Sequence, residues 1–565
     1  MGLGTSGAPF PTKGNPKRLI AQWSNTERNR TVHGMNLVSH LAQRLLRLPS
    51  PITREVEITR DIPITMPDGG VLLADHWRPS GGTSPTLLVR TPYGRKGFGA
   101  VFARVCAERG FQVVITSVRG TFGSTGDFRA MRHERGDGLA TIEWITAQPW
   151  FDGTLALAGT SYLGYTQWAV AADAPPQVKS MVPHVTSSRL ALTFLPRGGF
   201  GLDTSLRWSA MTARQERRFK GYREKTVREA MNSLPMGEAD VRVLGEQWPF
   251  YQDCVHHDNE DSFWKDWDHS TSVGKVTVPT SLVAGWEDIF LADQIADFVA
   301  LREQGRDARL IVGPWQHGSI TGFGVAARET VEWSGAHCRG EEPPRRARVR
   351  LFVVGAQEWR HYDTWPPEGY AARDWHLHGD GALSTAAPAA AEPSRYRYDP
   401  ADPTPSVGGP MLTRRGAGRK DNRALEARSD VLTFTTEPLA EDLEIIGEVG
   451  ARIWLRSSRP DTDVFVRLCD VSPRGRSVNV CDGYVNVRPD GVTRVEVALS
   501  PIAYRFPRGH RLRVQVSSGA HPRFARNTGS GEHHAVAREL FAADQEVFHD
   551  PEHPSVITLP CPAGG

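Results

Sequence analysis

The sequence has no apolar run approaching the roughly 18 residues that a membrane span requires, no C-x-x-C pair and no marked excess of either charge. Each absence removes a class of function. With 67 basic residues against 64 acidic ones, there is no electrostatic case for nucleic acid or an anionic membrane as the main partner. The six cysteines, Cys106, Cys254, Cys338, Cys469, Cys481 and Cys561, are scattered through 565 residues, which argues against a zinc site and against a dense disulfide frame. Cys469 and Cys481 could face each other on neighbouring strands, but free buried thiols are the expected state. The stretch "MGLGTSGAPFPTKGNPKRLIAQWSN" carries basic residues without an apolar core before a small-residue cleavage site. No secretory signal is expected, and the cytoplasm is the default compartment.

What is present divides the chain. The length predicts two or three domains with a large buried interior. Residues 1–50 form a polar, glycine-rich extension ending in the amphipathic stretch "MNLVSHLAQRLLRLPSP", expected to pack on its own domain rather than on a membrane. From Arg54 to Arg78 the pattern alternates around the turn signal "MPDGG", which predicts a hairpin. Then come "PTLLVRTPY", "FQVVITSVRG", "GTLALAGTS", "VKSMVPHV", "PTSLVAGWED" and "ARLIVGPWQH", short apolar runs mostly separated by helix-length segments. This pattern predicts an α/β domain with a largely parallel sheet, in two parts, residues 51–189 and 276–345. Between them, residues 190–275 lose the strand signal and read as a charged, aromatic-studded helical insertion, in the manner of a cap. Residues 346–565 are β-rich with no convincing long helix and predict a separate antiparallel sandwich of jelly-roll type. No repeat of solenoid period is present.

The ends of the parallel strands are where chemistry is expected. In "ALAGTSYLGYTQWA" a buried strand runs into a helix with Ser161 at the turn. A serine hydroxyl is a poor nucleophile until a base takes its proton, so a hydrolase also needs a histidine and an orienting acid. "SLVAGWEDIF" places Glu287 and Asp288 directly after a strand, and "LIVGPWQHGS" places His317 after the next. That is the order serine, acid, histidine found in α/β-hydrolases. Taken singly, Ser161 reads as a helix cap and His317 as an ordinary surface or core residue. Three such residues in this order, each at a strand end, favour catalysis.

With "RTPYGRKG" and "SVRGTFGSTG" upstream, the motifs "GTSYLGYTQWA", "GWEDIF" and "GPWQHG" resemble the cocaine esterase-like branch of the X-Pro dipeptidyl-peptidase superfamily of α/β-hydrolases. The similarity runs from about residue 55 to the C-terminus and includes "TDVFVRLCDVSPRGRSVNVCDGYVNVR" and "VSSGAHPRFARNTGSGE". It implies an α/β-hydrolase domain with a helical cap insertion, followed by an all-β jelly roll. By carry-over, Ser161 is the nucleophile, His317 the general base and Asp288 the acid that fixes the imidazole tautomer. The backbone N–H of Tyr162 and the phenol of Tyr93 form the oxyanion hole. The family commonly has an aromatic where this chain has Glu287, so two adjacent carboxylates compete; Asp288 matches the motif. The family's G-x-S-Y-x-G pattern makes Gly159 and Gly164 the motif glycines. The glycines of "SVRGTFGSTGDF" lack a lysine in Walker spacing and read as a loop beside the site.

Phe290 stands where esterases of this group present an aromatic wall. Relatives that act on α-amino acid esters carry carboxylates just after the triad acid, where this chain has Phe290 and Leu291, so an ammonium anchor of that kind is not expected. Phe194, Trp208 and Phe219 of the cap are further candidates for an apolar wall, although such aromatics more often serve packing. The expected activity is hydrolysis of a carboxylic ester, or an amide, of a small or medium acyl group through an acyl-enzyme, with a small-molecule substrate, no cofactor and no metal. Acyl transfer or lactone formation would use the same triad, and a non-catalytic binding role would leave it vestigial. The oligomeric state is open, a homo-oligomer among the options. Activity is expected to fall on acidification as His317 takes up a proton; a rate flat through that range would remove it from its role.

Overall fold

The computed structural model describes residues 36–217, 223–413 and 416–563. Most of the expected N-terminal extension lies outside them, as does Phe219. Helix α1 (Asn36–Leu46) is the amphipathic stretch. It leads into Leu48, which is buried with Ala42 in a core shared with the hydrolase domain, and the Arg328 guanidinium caps its last turn by donating to the Leu46 carbonyl at 2.7 Å. Ala42 of the helix is thus packed on its own domain, while Leu41 and Leu45 stay exposed.

The "MPDGG" turn joins β1 (Val56–Thr65) to β2 (Val71–Pro79) as an antiparallel pair. Each of the six apolar runs forms a strand: β3 (Thr86–Thr91), β4 (Gln112–Ser117), β5 (Leu155–Thr160), β6 (Val178–His184), β7 (Thr280–Glu287) and β8 (Ala308–Gln316). Helices α2 (Phe98–Ala107), α3 (Glu134–Thr146) and α4 (Tyr162–Ala171) make the first crossovers. Strands β3 to β8 pair in parallel in the order β4-β3-β5-β6-β7-β8, covered by helices on both faces. That double burial is why the runs are continuously apolar instead of alternating.

Between β6 and β7 the chain leaves the sheet to form the cap, a short 3₁₀ turn at Leu190–Phe194 followed by α5 (Leu202–Arg214), α6 (Glu224–Met231), α7 (Ala239–Leu244) and α8 (Pro249–His256). Its aromatics Phe194, Phe200, Trp208, Phe250 and Tyr251 join Tyr162, Tyr165 and Phe290 in one buried cluster, so cap and catalytic domain share a core. The domain resumes with β7, α9 (Leu291–Glu303), β8 and α10 (Ile320–Glu329).

The sheet does not end where the sequence pattern suggests. Strands β9 (Val349–Val353) and β10 (Glu358–Tyr362) extend it, β9 parallel to β8 and β10 folded back on β9, which gives ten strands in all. The sequence reading placed both in the sandwich from residue 346. β9 and β10 form a short hairpin in which β9 alternates in burial, and a hairpin added to the edge of a parallel sheet looks the same in sequence as one that opens a sandwich.

From β11 (Tyr370–Leu377) onward the chain builds a second, all-antiparallel domain. The first sheet holds β11, β12 (Leu383–Ser384), β13 (Ser394–Tyr398), β15 (Leu443–Ser457), β18 (Thr493–Phe506), β20 (Ala543–Phe548) and β21 (Val556–Pro562). The second holds β14 (Leu432–Thr435), β16 (Thr462–Val471), β17 (Ser477–Val487) and β19 (Arg511–Ser517). A loop following β19 reaches the cap: Asp203 N–H donates to the Pro522 carbonyl at 3.0 Å and Ala525 N–H to the Phe200 carbonyl at 2.8 Å. All six cysteines are buried and free.

Asp482 on β17 is enclosed with Arg467 (2.8 Å) and Arg523 (2.6 Å). Burial alone would raise its pKa, but the charges and hydrogen bonds of Arg523 and Arg467 outweigh it and hold the carboxyl below its ordinary value. A carboxyl with a lowered folded-state pKa contributes stability above its unfolded pKa and loses it as pH falls through the folded value. Asp482→Ala strands two guanidinium groups and is expected to cost about 3–5 kcal/mol, read as a lower urea midpoint at neutral pH; an unchanged midpoint would contradict this.

Candidate active site

Ser161 sits between β5 and α4 with φ 59° and ψ −125°, a left-handed conformation that a residue with a side chain adopts only under constraint. The constraint is visible on both sides. Its N–H donates to the His184 carbonyl at 2.9 Å, and its own carbonyl accepts from Gly164 N–H at 2.8 Å and Tyr165 N–H at 3.0 Å. The two motif glycines allow the tight packing this requires. A Cβ on Gly159 would lie 2.4 Å from Leu163 Cβ, and one on Gly164 would lie 2.4 Å from Thr186 Cγ2. Both are places where helix α4 is pressed against the strands, and any side chain would lift it and release the turn.

Asp288 follows β7 and His317 follows β8, and the two meet with His317 Nδ1 2.7 Å from Asp288 Oδ2. An ionised carboxylate only accepts, so the bond places the imidazole proton on Nδ1 and leaves Nε2 with a free lone pair. The Asp288 side chain is 1% exposed, and its other oxygen accepts the Phe290 N–H at 2.9 Å. Glu287 takes no part in this pair. Its carboxylate accepts from Gln316 Nε2 at 3.2 Å and from Arg419 Nε at 3.3 Å, at the junction with the sandwich. Alternation along the strand end turns adjacent residues to opposite sides, which separates two carboxylates that look equivalent in sequence.

Ser161, Tyr93, Tyr162, Phe194, Trp208, Phe290 and His317 line one cavity of about 540 Å³. Ser161 and His317 share its wall without a hydrogen bond between them, and Tyr93 lies on the same wall. A catalytic bond of this kind commonly closes only when substrate arrives. The Tyr162 N–H is among the unbonded donors of the first turn of α4 and carries the helix's positive end. The Tyr162 ring is held apart from the reaction: its phenol donates to Glu134 Oε1 at 2.7 Å and accepts the Met131 N–H at 2.8 Å. The Phe290 ring centre lies 5.5 Å from that of His317 and closes one side.

Tyr93 is carried on a loop after β3 that the neighbouring Arg95 anchors. The Arg95 guanidinium bonds Asp75 at 3.0 Å, Ser117 at 2.5 Å and the Phe122 carbonyl at 3.2 Å, and pairs with Asp61. Burial pushes the Tyr93 phenol up to about 12, partly offset by hydrogen bonds with Trp208 and Ser161, so it keeps its proton and can donate it. His184, beside the nucleophile turn, is pushed down to about 3 by burial and by the nearby His317, and it stays neutral.

Several further residues line the cavity: Lys96, Phe122, Met211, Gln215 and Leu412. Lys96 and Phe122 lie within the motifs "RTPYGRKG" and "SVRGTFGSTG", and Gln215, the C-cap of α5, had a cue in its seven-residue spacing from Trp208. Leu412 comes from the sandwich side of the chain, where no local pattern could reveal it.

Comparison with known proteins agrees with this arrangement. The family model of the X-Pro dipeptidyl-peptidase (S15 family) matches residues 68–319, and that of the X-Pro dipeptidyl-peptidase C-terminal non-catalytic domain matches residues 342–558. The chain is 34% identical to the cocaine esterase of Rhodococcus sp. (strain MB1 Bresler), over 89% of this chain and 98% of that esterase. Among solved structures, an aminopeptidase from a marine sediment archaeon, Thaumarchaeota archaeon, superposes with a TM-score of 0.81 at 24% identity, covering 90% of this chain and 96% of that one. An α-amino acid ester hydrolase superposes with a TM-score of 0.78 at 23% identity, covering 91% and 98%. The last two show the fold, whereas the identity to the esterase extends over nearly the whole length of both proteins. This chain therefore belongs to the cocaine esterase-like branch of the X-Pro dipeptidyl-peptidase superfamily and is a serine hydrolase.

Proposed function

We propose that the protein hydrolyses carboxylic esters of small or medium acyl groups, with Ser161 as nucleophile, His317 as general base, Asp288 as its orienting acid, and Tyr162 N–H and the Tyr93 phenol as oxyanion donors. The observation that carries the reading is the convergence on one cavity of a strained serine, an imidazole held by a buried carboxylate at 2.7 Å, and a phenol whose proton is retained. In the first step His317 Nε2 takes the Ser161 proton as Oγ attacks the ester carbon. The carbonyl oxygen becomes an anion between the two donors. His317 then returns the proton to the leaving alcohol, which gives an acyl-serine. Water, deprotonated by the same nitrogen, releases the acid.

The lining supports the substrate class. Leu190, Phe194, Trp208, Met211, Phe290 and Leu412 present an apolar wall, and no carboxylate is among the cavity's lining residues. The position after Asp288 that would grip an ammonium holds a wholly buried Phe290 instead. The cocaine esterase, 34% identical over 89% of this chain, is named for an ester substrate.

On a panel of aryl and alkyl esters, amides and α-amino acid esters, neutral short-chain and medium-chain esters are expected to be turned over fastest. Ser161→Ala is expected to lose all but background rate, and Tyr93→Phe to lose about 100- to 1000-fold in kcat. Preference for a free α-amino group would overturn the substrate assignment. Because Tyr93 stays protonated, the rate is also expected to hold a plateau on the alkaline side up to about pH 11, provided the fold persists; a sharp loss near pH 9 with intact structure would contradict a phenol donor.

A further inference from the structure

We propose that helix α5 of the cap is the positioning element of the oxyanion hole: Trp208 orients the Tyr93 phenol, and Gln215 fixes the backbone that carries it. The proposal rests on Tyr93 being an oxyanion donor and gives Trp208 a task beyond forming part of the apolar wall.

Two contacts reach from this one helix to the Tyr93 loop. Trp208 Nε1–H donates to the Tyr93 phenol oxygen at 3.0 Å. Gln215 Nε2–H donates to the carbonyl of Pro92, the residue before Tyr93, at 2.8 Å. Gln215 is the C-cap of α5, still in helical conformation and seven residues, two helical turns, after Trp208, so the two project from the same side. One grips the side chain and the other grips the backbone beneath it.

The direction of the first bond sets the chemistry. A phenol has a single proton to donate. The indole can only donate, so it occupies the acceptor side of the Tyr93 oxygen and leaves the phenol proton for the developing oxyanion. Donation into the phenol oxygen also strengthens the phenol as a donor, since chained hydrogen bonds polarise one another. A buried hydroxyl free to rotate would lose that alignment, and catalytic donors act through being oriented before the charge appears.

Trp208 is itself locked. Its ring stacks on that of Tyr162 at 6.1 Å with 12° between planes and meets the edge of Phe250 at 4.6 Å. It therefore touches both residues of the oxyanion hole, bonding the side chain of one and stacking on the ring of the other. Seating the cap and completing the oxyanion hole become one event, which accounts for a cap that shares its aromatic core with the catalytic domain instead of lying loosely on it.

A substrate-wall role and a positioning role separate in a double-mutant cycle. Trp208→Phe keeps an aromatic ring against Tyr162 and Phe250 but removes the donor, while Gln215→Met keeps length and removes the amide. Each would be measured alone and in the Tyr93→Phe background, with a neutral 4-nitrophenyl ester for kcat and KM and with phenylboronic acid, which forms a tetrahedral adduct on the serine, for Kd. In the native background Trp208→Phe is expected to lower kcat by about 10-fold and weaken the boronate similarly, with KM within about 2-fold, and Gln215→Met to lower kcat by about 3-fold. In the Tyr93→Phe background both effects should shrink to near unity. Equal losses in both backgrounds, or a rise in KM alone, would make Trp208 a wall and overturn the proposal. If Trp208→Phe fails to fold, the Gln215→Met cycle decides by the same criterion. Full activity of Tyr93→Phe by itself would instead contradict the oxyanion assignment under the proposed function, so the two failures are distinguishable.

Discussion

The structure turns on the packing of helix α4 against the central strands, because that packing holds Ser161 in a left-handed conformation it would not keep alone. The cost of such a backbone is on the order of 1–3 kcal/mol, and it is met by three backbone hydrogen bonds, one through the N–H and two through the carbonyl, and by two glycines that let the helix approach. The conformation does two things at once. It sets Ser161 in the cavity wall, and it begins the helix one residue later at Tyr162, which lines the same cavity. The proposed nucleophile and the proposed oxyanion donor thus share a single turn.

Burial supplies the remaining control. The Asp288 side chain is closed off from water and accepts from the His317 imidazole and the Phe290 N–H. Tyr93 retains its proton for the same reason, since burial disfavours the phenolate and raises its pKa. The loop that carries Tyr93 is held from below by Arg95 and its carboxylate partners and from above by the cap. The sandwich contributes at a distance, through a loop that bonds to the cap at Phe200 and Asp203 and through Leu412 at the cavity wall.

Much of this was legible in the sequence because the signals are local. Continuous apolar runs mark strands buried on both faces, and Ser161, Asp288 and His317 each stand directly beyond one of them. The amphipathic stretch ending at Leu46 reads as a helix packed on its own domain for the same reason. What was not legible depends on which way a side chain points or on which distant segment it meets. Glu287 and Asp288 are adjacent carboxylates, and only the turn of the chain, with Gln316 and Arg419 receiving the first, tells them apart. Strands β9 and β10 read as a hairpin of the sandwich, and their membership of the hydrolase sheet is decided by the parallel pairing of β9 with β8 that no periodicity encodes. Trp208 reads as a cap aromatic; its bond to Tyr93, 115 positions away, is a tertiary fact.

The central claim is that the strained hydroxyl at the head of α4 is the nucleophile. The most direct test is to treat the folded protein with a fluorophosphonate, digest it and locate the adduct by mass spectrometry. The account predicts a single phosphonylated serine in the peptide containing Ser161, forming slowly or not at all when His317 is replaced by alanine. A stoichiometric adduct elsewhere, or none on a folded and ester-hydrolysing protein, would contradict it.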